Sequence, residues 1–388
     1  MNLFRAWIAL SSLSDWFIAS RLLGVRWWGR PGRGAAARSC PRLHRVIVAA
    51  AGTSLFFLFK LLVLTLPWAG LFGAMTMAYA DIAIVLPLLG FAVLRQARAC
   101  PFPKPGLIVR AWAWLSLLAA PICAYATFIE PYWLVVERTP FEIAASRWRE
   151  HPVHVRVAVL ADLQTSAVDD YDRRAVQTLM AQKPDVILIA GDLFTGSDAE
   201  FAEQLPAMRE LLSQLHAPGG VYAVEGDCDS APGWLEQMVE GTPIRLLRNE
   251  ITTTRVGGLE LTIGGVELAF ESDAAQTKIA ELSNPTSERT GFRILLTHRP
   301  DPVLYLPRGS AIDLVVAGHT HGGQVQIPGF GPLVTFTQVP RSSAGGGASV
   351  VHGHRLYVSR GVGHERQFAP RLRLFCRPEI SLLTLQPR

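Results

Sequence analysis

Two patterns of apolar spacing divide the chain near residue 130. Before that point the apolar residues run together. Val46–Trp68, Leu71–Leu94 and Leu107–Ile129 are 23, 24 and 23 residues long, with one charge each: Lys60, Asp81 and Arg110. A helix needs about 20 residues to cross a bilayer core. A core helix of that length in a soluble protein would show a polar face. The pattern therefore predicts a three-span transmembrane region over residues 46–130. A signal peptide does not fit, because the first run starts late and two more follow it. Charges inside a span are costly and usually paired, so Lys60 and Asp81 are expected to tie adjacent helices together.

From His151 the spacing changes. Short β-branched runs alternate with polar, helix-like stretches, and residues 131–150 form a linker of mixed charge. Strands are expected at Val155–Leu160, Val186–Ala190, Val221–Glu225, Arg293–Thr297, Asp313–Ala317, Gln324–Ile327, Arg355–Ser359 and Ile380–Leu385. Helices are expected at Asp169–Gln182 and Glu200–Leu215. Leu259–Phe270 predicts a hairpin turning at Gly264-Gly265, and Gly345–Gly347 predicts a flexible surface loop. Strands alternating with helices imply one layered α/β domain over residues 151–388.

Composition sharpens this division. Charged residues make up 18% of the 388 residues, against ~25% in an ordinary soluble protein. Mean hydropathy is +0.24. Disorder, collagen and coiled coil are excluded for most of the chain. Five scattered cysteines without a CxxC exclude a disulfide scaffold or a zinc ribbon. The net charge of +5 is concentrated in a basic N-terminal head, residues 1–45, where eight Arg face one Asp. The rest of the chain is slightly acidic, so nucleic acid is not an expected partner.

Short-loop Lys and Arg set membrane orientation. Arg38, Arg42 and Arg45 precede the first span, and Arg95, Arg98 and Lys104 connect the second and third. This predicts a multi-pass protein of the inner (plasma) membrane with its α/β domain extracytoplasmic. Residues 3–23 hold Arg5, Asp15 and Arg21 and are expected to lie in the interface. If they span instead, the domain faces the cytoplasm.

The candidate chemistry sits where strands end. Asp162 and Gln164 follow the first strand of the domain, Asp192 the second, and Asp227, Cys228 and Asp229 the third. His298 ends a later strand, and His319 and His321 end the next. Open α/β sheets bind ligands at the carboxyl ends of their strands. Carboxylates and imidazoles gathered on one rim suit a pair of divalent cations. His352, His354 and His364 are expected to be surface or turn residues.

These segments, Asp162-Leu163-Gln164, Gly191-Asp192, Gly226-Asp227-Cys228-Asp229, His298 and Gly318-His319-Thr320-His321, resemble the calcineurin-like metallophosphoesterase superfamily. Tyr357–Gly363 and Pro378–Ile380 resemble its membrane-associated branch, which includes enzymes similar to UDP-2,3-diacylglucosamine pyrophosphatases. The resemblance implies a layered αββα domain and two divalent cations. Asp162, Gln164, Asp192 and His321 would hold one cation. Asp192, Asp227, His298 and His319 would hold the other, with Asp192 shared. Cys228 and Asp229 would belong to the catalytic set. Arg360, at a strand end, would meet a substrate phosphate or else serve in packing.

Three positions depart from the family pattern. Gln164 replaces a His and offers oxygen in place of nitrogen, which favours Mn²⁺ or Mg²⁺ over Fe or Zn²⁺. Asp227 replaces an Asn and adds a carboxylate. Cys228 replaces a His and removes a cationic group. The expected activity is cleavage of a phosphodiester or pyrophosphate, with a lipid-linked or nucleotide-sugar lipid substrate at the bilayer. The alternative is a degenerate, non-catalytic metal-binding or sensor module.

Overall fold

The apolar runs after residue 66 form helices, and the alternating runs after residue 151 form two facing sheets. A computed structural model of the chain describes residues 66–99, 107–149, 154–229, 231–285, 291–365 and 369–388, together with Ile8, Leu13, Asp15, Lys60 and Leu62. The chain divides into two units, Met1–Phe128 with Gln367–Pro370, and Ile129–Arg366 with Arg371–Arg388.

In the first unit, α1 (Leu66–Ala80) passes through a π-helical turn (Asp81–Val85) into α2 (Leu86–Ala99), and α3 (Leu107–Phe128) follows. Gly70–Phe91 and Leu107–Tyr132 are long and apolar enough to cross a bilayer. Apart from its few described residues, the expected first span lies outside the described part of the chain, as does most of the basic head. Lys60 Nζ bonds Asp81 Oδ2 at 2.7 Å, so the expected pair is present, and Asp15 joins it from the segment over residues 3–23. Tyr79 Oη donates to the Cys123 carbonyl at 2.8 Å and ties α1 to α3. Along α3, Leu107, Ile108, Trp114, Leu115, Leu118 and Phe128 are exposed.

The second unit begins with β1 (Val135–Ile143), a correction to the expected linker over residues 131–150. β1 pairs in parallel with the last strand of the chain. The strand was hidden because it is an edge: Glu137, Arg138 and Glu142 interrupt its apolar alternation, as charges on edge strands commonly do. There follow β2 (Val155–Leu160), α4 (Asp170–Ala181), β3 (Val186–Ile189), α5 (Asp198–Ser213), β4 (Val221–Ala223), α6 (Trp234–Val239), β5 (Ile244–Leu246), β6 (Glu250–Val256) and β7 (Leu259–Gly265). Next come α7 (Asp273–Ser283), β8 (Phe292–Leu296), β9 (Leu314–Ala317), β10 (Gln326–Ile327), β11 (Gly331–Pro332), α8 (Arg341–Ala344), β12 (Gly347–Val351), β13 (His354–Val358) and β14 (Glu379–Pro387). Capping boxes start both long helices of the first half, Asp169 with Asp172 at α4 and Ser197 with Glu200 at α5.

One six-stranded sheet runs β1-β14-β2-β3-β4-β5 and the other β12-β13-β9-β8-β7-β6. The two-residue period of each strand sends alternate side chains to opposite faces. Val155, Val157 and Val159 of β2 meet Leu261, Ile263, Ile294 and Val316 of the facing sheet in a buried inner core. Ala158, Leu160 and Ile189 point the other way, against Val176 and Leu179 of α4 and Leu211 and Leu212 of α5. Leu295, Val315 and Leu356 pack outward against Ile279 and Leu282 of α7. The layers are therefore helix, sheet, sheet, helix, as expected. Burial on both faces explains the unbroken apolar runs of β3 and β9.

Two smaller expectations change. The hairpin joins β6 to β7 and turns at Gly257-Gly258, whose φ values of 57° and 76° suit a tight hairpin turn. Gly264 and Gly265 lie inside the ladder, opposite Ile251 and Glu250. Gly345–Gly347 is not a free loop, because it leads from α8 directly into β12.

Arg373 is a fully buried cation that organises the loop before β14. Its guanidinium donates to the carbonyls of Arg360, Gly361, Gly363 and Cys376, at 2.6 to 3.3 Å. The loop it fixes runs beside the end of β2. There Val362 N–H bonds the Ala161 carbonyl at 3.0 Å, and Gly363 N–H bonds the Asp162 carbonyl at 2.7 Å.

Candidate metal centre

The carboxyl ends of β2, β3, β4, β8 and β9 meet at one rim, and the chain turns sharply there after β2, β3 and β9. Asp162, Gln164, Asp192, His319 and His321 have φ of 50°, 42°, 57°, 71° and 48°. A non-glycine residue rarely enters this left-handed region, and such strain persists only where the surroundings impose it. Here the turns lock one another. Asp162 N–H bonds the Gly191 carbonyl at 3.1 Å, Gln164 N–H the Asp192 carbonyl at 2.9 Å, and Gly318 N–H the His298 carbonyl at 3.0 Å. Glycine at 226 is required by the close approach. A Cβ there would lie inside van der Waals contact with the backbone N and Oδ1 of Asp192.

Two groups of donors result. Asp162, Asp192 and His298 present atoms within 4.8 Å of one another, and so do Asp227, His298 and His319. His298 is shared. Its Nδ1 donates to the Ala190 carbonyl at 2.7 Å, which leaves Nε2 facing Asp192 Oδ1 at 3.6 Å and Asp227 Oδ2 at 3.4 Å. His319 Nε2 donates to the Phe336 carbonyl at 3.3 Å, so its Nδ1 faces Asp227 Oδ2 at 2.8 Å. Such carbonyl bonds fix which nitrogen of an imidazole is available as a ligand. Asp162 is fully buried, and both its oxygens accept from His319 N–H at 3.0 and 3.1 Å. Asp192 accepts from Gln164 Nε2 at 2.5 Å and from Cys228 N–H at 2.7 Å.

The donor set fits divalent cations, and the fit rests on atoms that protein partners do not satisfy. His321 is buried, and neither of its ring nitrogens has a hydrogen-bond partner; Nε2 lies 3.8 Å from Asp162 Oδ1. Gln164 Oε1 is likewise buried without a partner. Buried polar atoms are rarely left unpaired without a functional reason. Burial, and then the charge of Arg373, push His321 well below the usual histidine range, so it is a neutral ligand with a free lone pair. Burial would lower His298 too, but the carboxylates of Asp192, Asp227 and Asp162 outweigh it and raise the group to about 10. An incoming cation must displace that proton. Burial raises Asp162 well above the carboxylate range. Burial would also raise Asp227, but bonds from His298, His319 and Arg299 hold it far below.

All seven expected ligand residues therefore lie on this rim. Two other candidate residues are engaged elsewhere. Asp229, expected in the catalytic set, is buried, and its carboxylate is taken up by backbone. Oδ1 accepts from Leu193 and Phe194 N–H at 2.9 and 3.3 Å, and Oδ2 from Gly226 N–H at 3.2 Å. It is a positioning residue for the loops carrying Asp192 and Asp227. Burial, with Asp192 nearby, raises it to about 7. Arg360 is drawn away into ion pairs with Glu379 at 2.5 Å and Glu137 at 3.2 Å. The guanidinium at the rim belongs to Arg299, which bonds both oxygens of Asp227. Its signal was its place directly after His298 at a strand end. Cys228 is half-buried on the same loop as Asp227, and its N–H secures Asp192. His352 is exposed and His364 half-buried, whereas His354 is buried instead of lying at the surface.

Two facing sheets with five strand ends converging on a carboxylate and imidazole cluster define a hydrolase of the dimetal kind. Residues 155–323 match the model of the calcineurin-like phosphoesterase family, and the chain is a metal-dependent phosphoesterase. Over 288 residues the chain is 28% identical to the uncharacterized metallophosphoesterase YkuE of Bacillus subtilis, covering 70% of this chain and 92% of that one. It is 28% identical over 276 residues to phosphodiesterase YaeI of Escherichia coli, covering 67% and 92%. A solved dimetal phosphatase from Danio rerio superposes over 55% of this chain and 88% of that one, at 13% identity and a TM-score of 0.32, too loosely to bear on the site.

The contact at Gly226 gives a direct check. Gly226→Ala is expected to push the Asp192 turn out of place and abolish tight Mn²⁺ binding, at a stability cost of about 1–3 kcal/mol. Calorimetric titration with Mn²⁺, beside a thermal melt, separates the two effects. Binding equal to that of the unaltered chain would refute the assignment of this turn.

Proposed function

We propose that the protein is a membrane-anchored phosphoesterase with two divalent cations, Mn²⁺ preferred, acting on a phosphodiester or pyrophosphate of a lipid-linked or nucleotide-sugar lipid substrate. The observation that carries the dimetal reading is the pair of unsatisfied donors, His321 and Gln164 Oε1, set beside Asp162 and Asp192, with the Asp227, His298 and His319 group next to them. Asp162, Gln164, Asp192 and His321 would hold one cation, and Asp192, Asp227, His298 and His319 the other. Such a pair supplies charge against the negative charge that develops on a phosphoryl group, and brings the acidity of water close to neutral pH.

The protein's own groups do the rest. The carbonyl bonds at His298 and His319 hold both imidazoles in the ligand tautomer. The backbone bonds to Asp229 and from Cys228 hold the Asp192 turn rigid, so little reorganisation is needed during reaction. Cys228 would give a proton to the departing ester oxygen, a role its thiol can fill without being cationic. The relative named a phosphodiesterase favours a diester over a monoester. The two apolar helices and the exposed apolar face of α3 support anchoring, which keeps enzyme and amphiphilic substrate at one surface.

Three outcomes are expected. Hydrolysis of bis(p-nitrophenyl) phosphate should be faster with Mn²⁺ than with Zn²⁺ and should vanish in Asp192→Ala; activity within about tenfold of the unaltered protein in that variant would sink the dimetal assignment. An alkaline phosphatase reporter fused after Arg388 should be active, reporting an extracytoplasmic domain. A cytoplasmic result would point to a further span in residues 3–23. Cys228→Ala should lower turnover about tenfold or more with metal content unchanged, while Cys228→His keeps or raises it. Unaltered turnover in the alanine variant would remove Cys228 from the reaction.

A further inference from the structure

Arg299 is where the ligand group meets the neighbouring open space. Its Nη2 bonds Asp227 Oδ1, and its Nε bonds Oδ2 at 3.4 Å, a fork that grips both carboxylate oxygens. The same residue lines a cavity of about 490 Å³ together with Phe270, Glu271, Phe336 and Gln338. Asp301 lines it too, but its oxygens accept from Thr337 Oγ1 at 2.9 Å and Gln338 N–H at 2.7 Å, so that carboxylate is occupied in holding the wall. A second lining residue also touches this cluster, because the Phe336 carbonyl accepts from His319 Nε2.

Asp227 differs from the other two carboxylates of the rim. Asp162 and Asp192 are held chiefly by backbone N–H groups and an amide. Asp227 is held by charge: His298 and His319 approach Oδ2, and Arg299 spans both oxygens. A third carboxylate on a rim that must accept an anionic phosphate works against substrate binding unless a cation offsets it. A guanidinium is suited to this task, being always charged and able to bond two oxygens in a fixed plane.

We propose that Arg299 is a positioning residue for the second cation site. It fixes the orientation of Asp227 and offsets its charge, and its outer edge forms the wall of the cavity that receives the ester group of the substrate. The proposal rests on the dimetal phosphoesterase reading above. It assigns the cavity to a substrate whose phosphorus carries an organic group on the side of Arg299, as a diester does.

The test is a double-mutant cycle on Arg299→Met and Asp227→Asn, with Arg299→Lys as the conservative variant. In EDTA, Arg299→Met is expected to lower the melting temperature, and adding Asp227→Asn is expected to recover most of that loss. Calorimetry with Mn²⁺ should show Arg299→Met still binding the metal. With Mn²⁺ and bis(p-nitrophenyl) phosphate, Arg299→Met should lose on the order of tenfold or more in kcat/KM, and Arg299→Lys should lose less. The double variant should exceed Arg299→Met alone, since contacting residues couple. Losses that simply add, in both the EDTA melts and kcat/KM, would overturn the proposal. Should the unaltered protein hydrolyse nothing with any cation, the dimetal reading fails separately. The EDTA melts then decide the Asp227–Arg299 pairing alone.

Discussion

Burial of like charges at the carboxyl ends of five strands is the constraint around which the domain is arranged. Asp162 and Asp192 are almost fully buried, and Asp227 stands beside them. Taking carboxylates out of water costs several kcal/mol each unless charge or hydrogen bonds compensate. The fold meets this with three kinds of partner. The His319 backbone N–H serves Asp162, an amide and a backbone N–H serve Asp192, and imidazoles and a guanidinium serve Asp227. Compensation is incomplete on one side only, at His321 and Gln164 Oε1. Neutral donors left without protein partners beside a carboxylate are groups that a divalent cation would satisfy.

Holding those groups together strains the backbone, and the strain is carried by parts that never touch a ligand. Five of the seven ligand positions adopt left-handed φ. Each such residue costs of order 1–3 kcal/mol, so the turns must be over-determined. Asp229 does this for two loops by accepting three backbone bonds. Arg373 does it for the loop flanking Asp162, by ordering a run of carbonyls that would otherwise be buried and unpaired. Both carry ionisable side chains and are almost fully buried, and neither stands in the ligand cluster. Charge and burial alone therefore do not single out a chemical role in this domain; the partners of each oxygen or nitrogen decide it.

That distinction marks how far the sequence could be read. The strand ends, the ligand types and the layered fold were legible, because two-residue periodicity and the polar residues terminating each strand are local properties. Val155–Leu160 was located to the residue. What failed depended on distant partners. β1 carries edge charges that mimic a linker, and only its pairing with β14, over 200 residues away, makes it a strand. Arg360 and Arg299 both sit near strand ends, and that position alone does not tell which one reaches the rim. Arg360 is withheld by Glu379 and Glu137, one on β14 and one on β1. Asp227 and Asp229 are two residues apart, and the turn between them sends one to the histidine cluster and the other to backbone.

Two of the three departures from the family pattern, Gln164 and Asp227, obey the same constraint. Gln164 retains a ligand position because its Nε2 is spent on Asp192, which turns its unpaired oxygen into the available donor. An amide can bond a carboxylate and offer an oxygen at once, which a single imidazole nitrogen cannot do. Asp227 keeps its ionised form because Arg299 and two histidines surround it. Each change thus comes with a neighbour that accommodates it within the same cluster. A decaying site would instead accumulate unpaired charges, for which buried surroundings have little tolerance. The orphaned atoms that remain are grouped on neutral donors facing a carboxylate, the arrangement a cation completes.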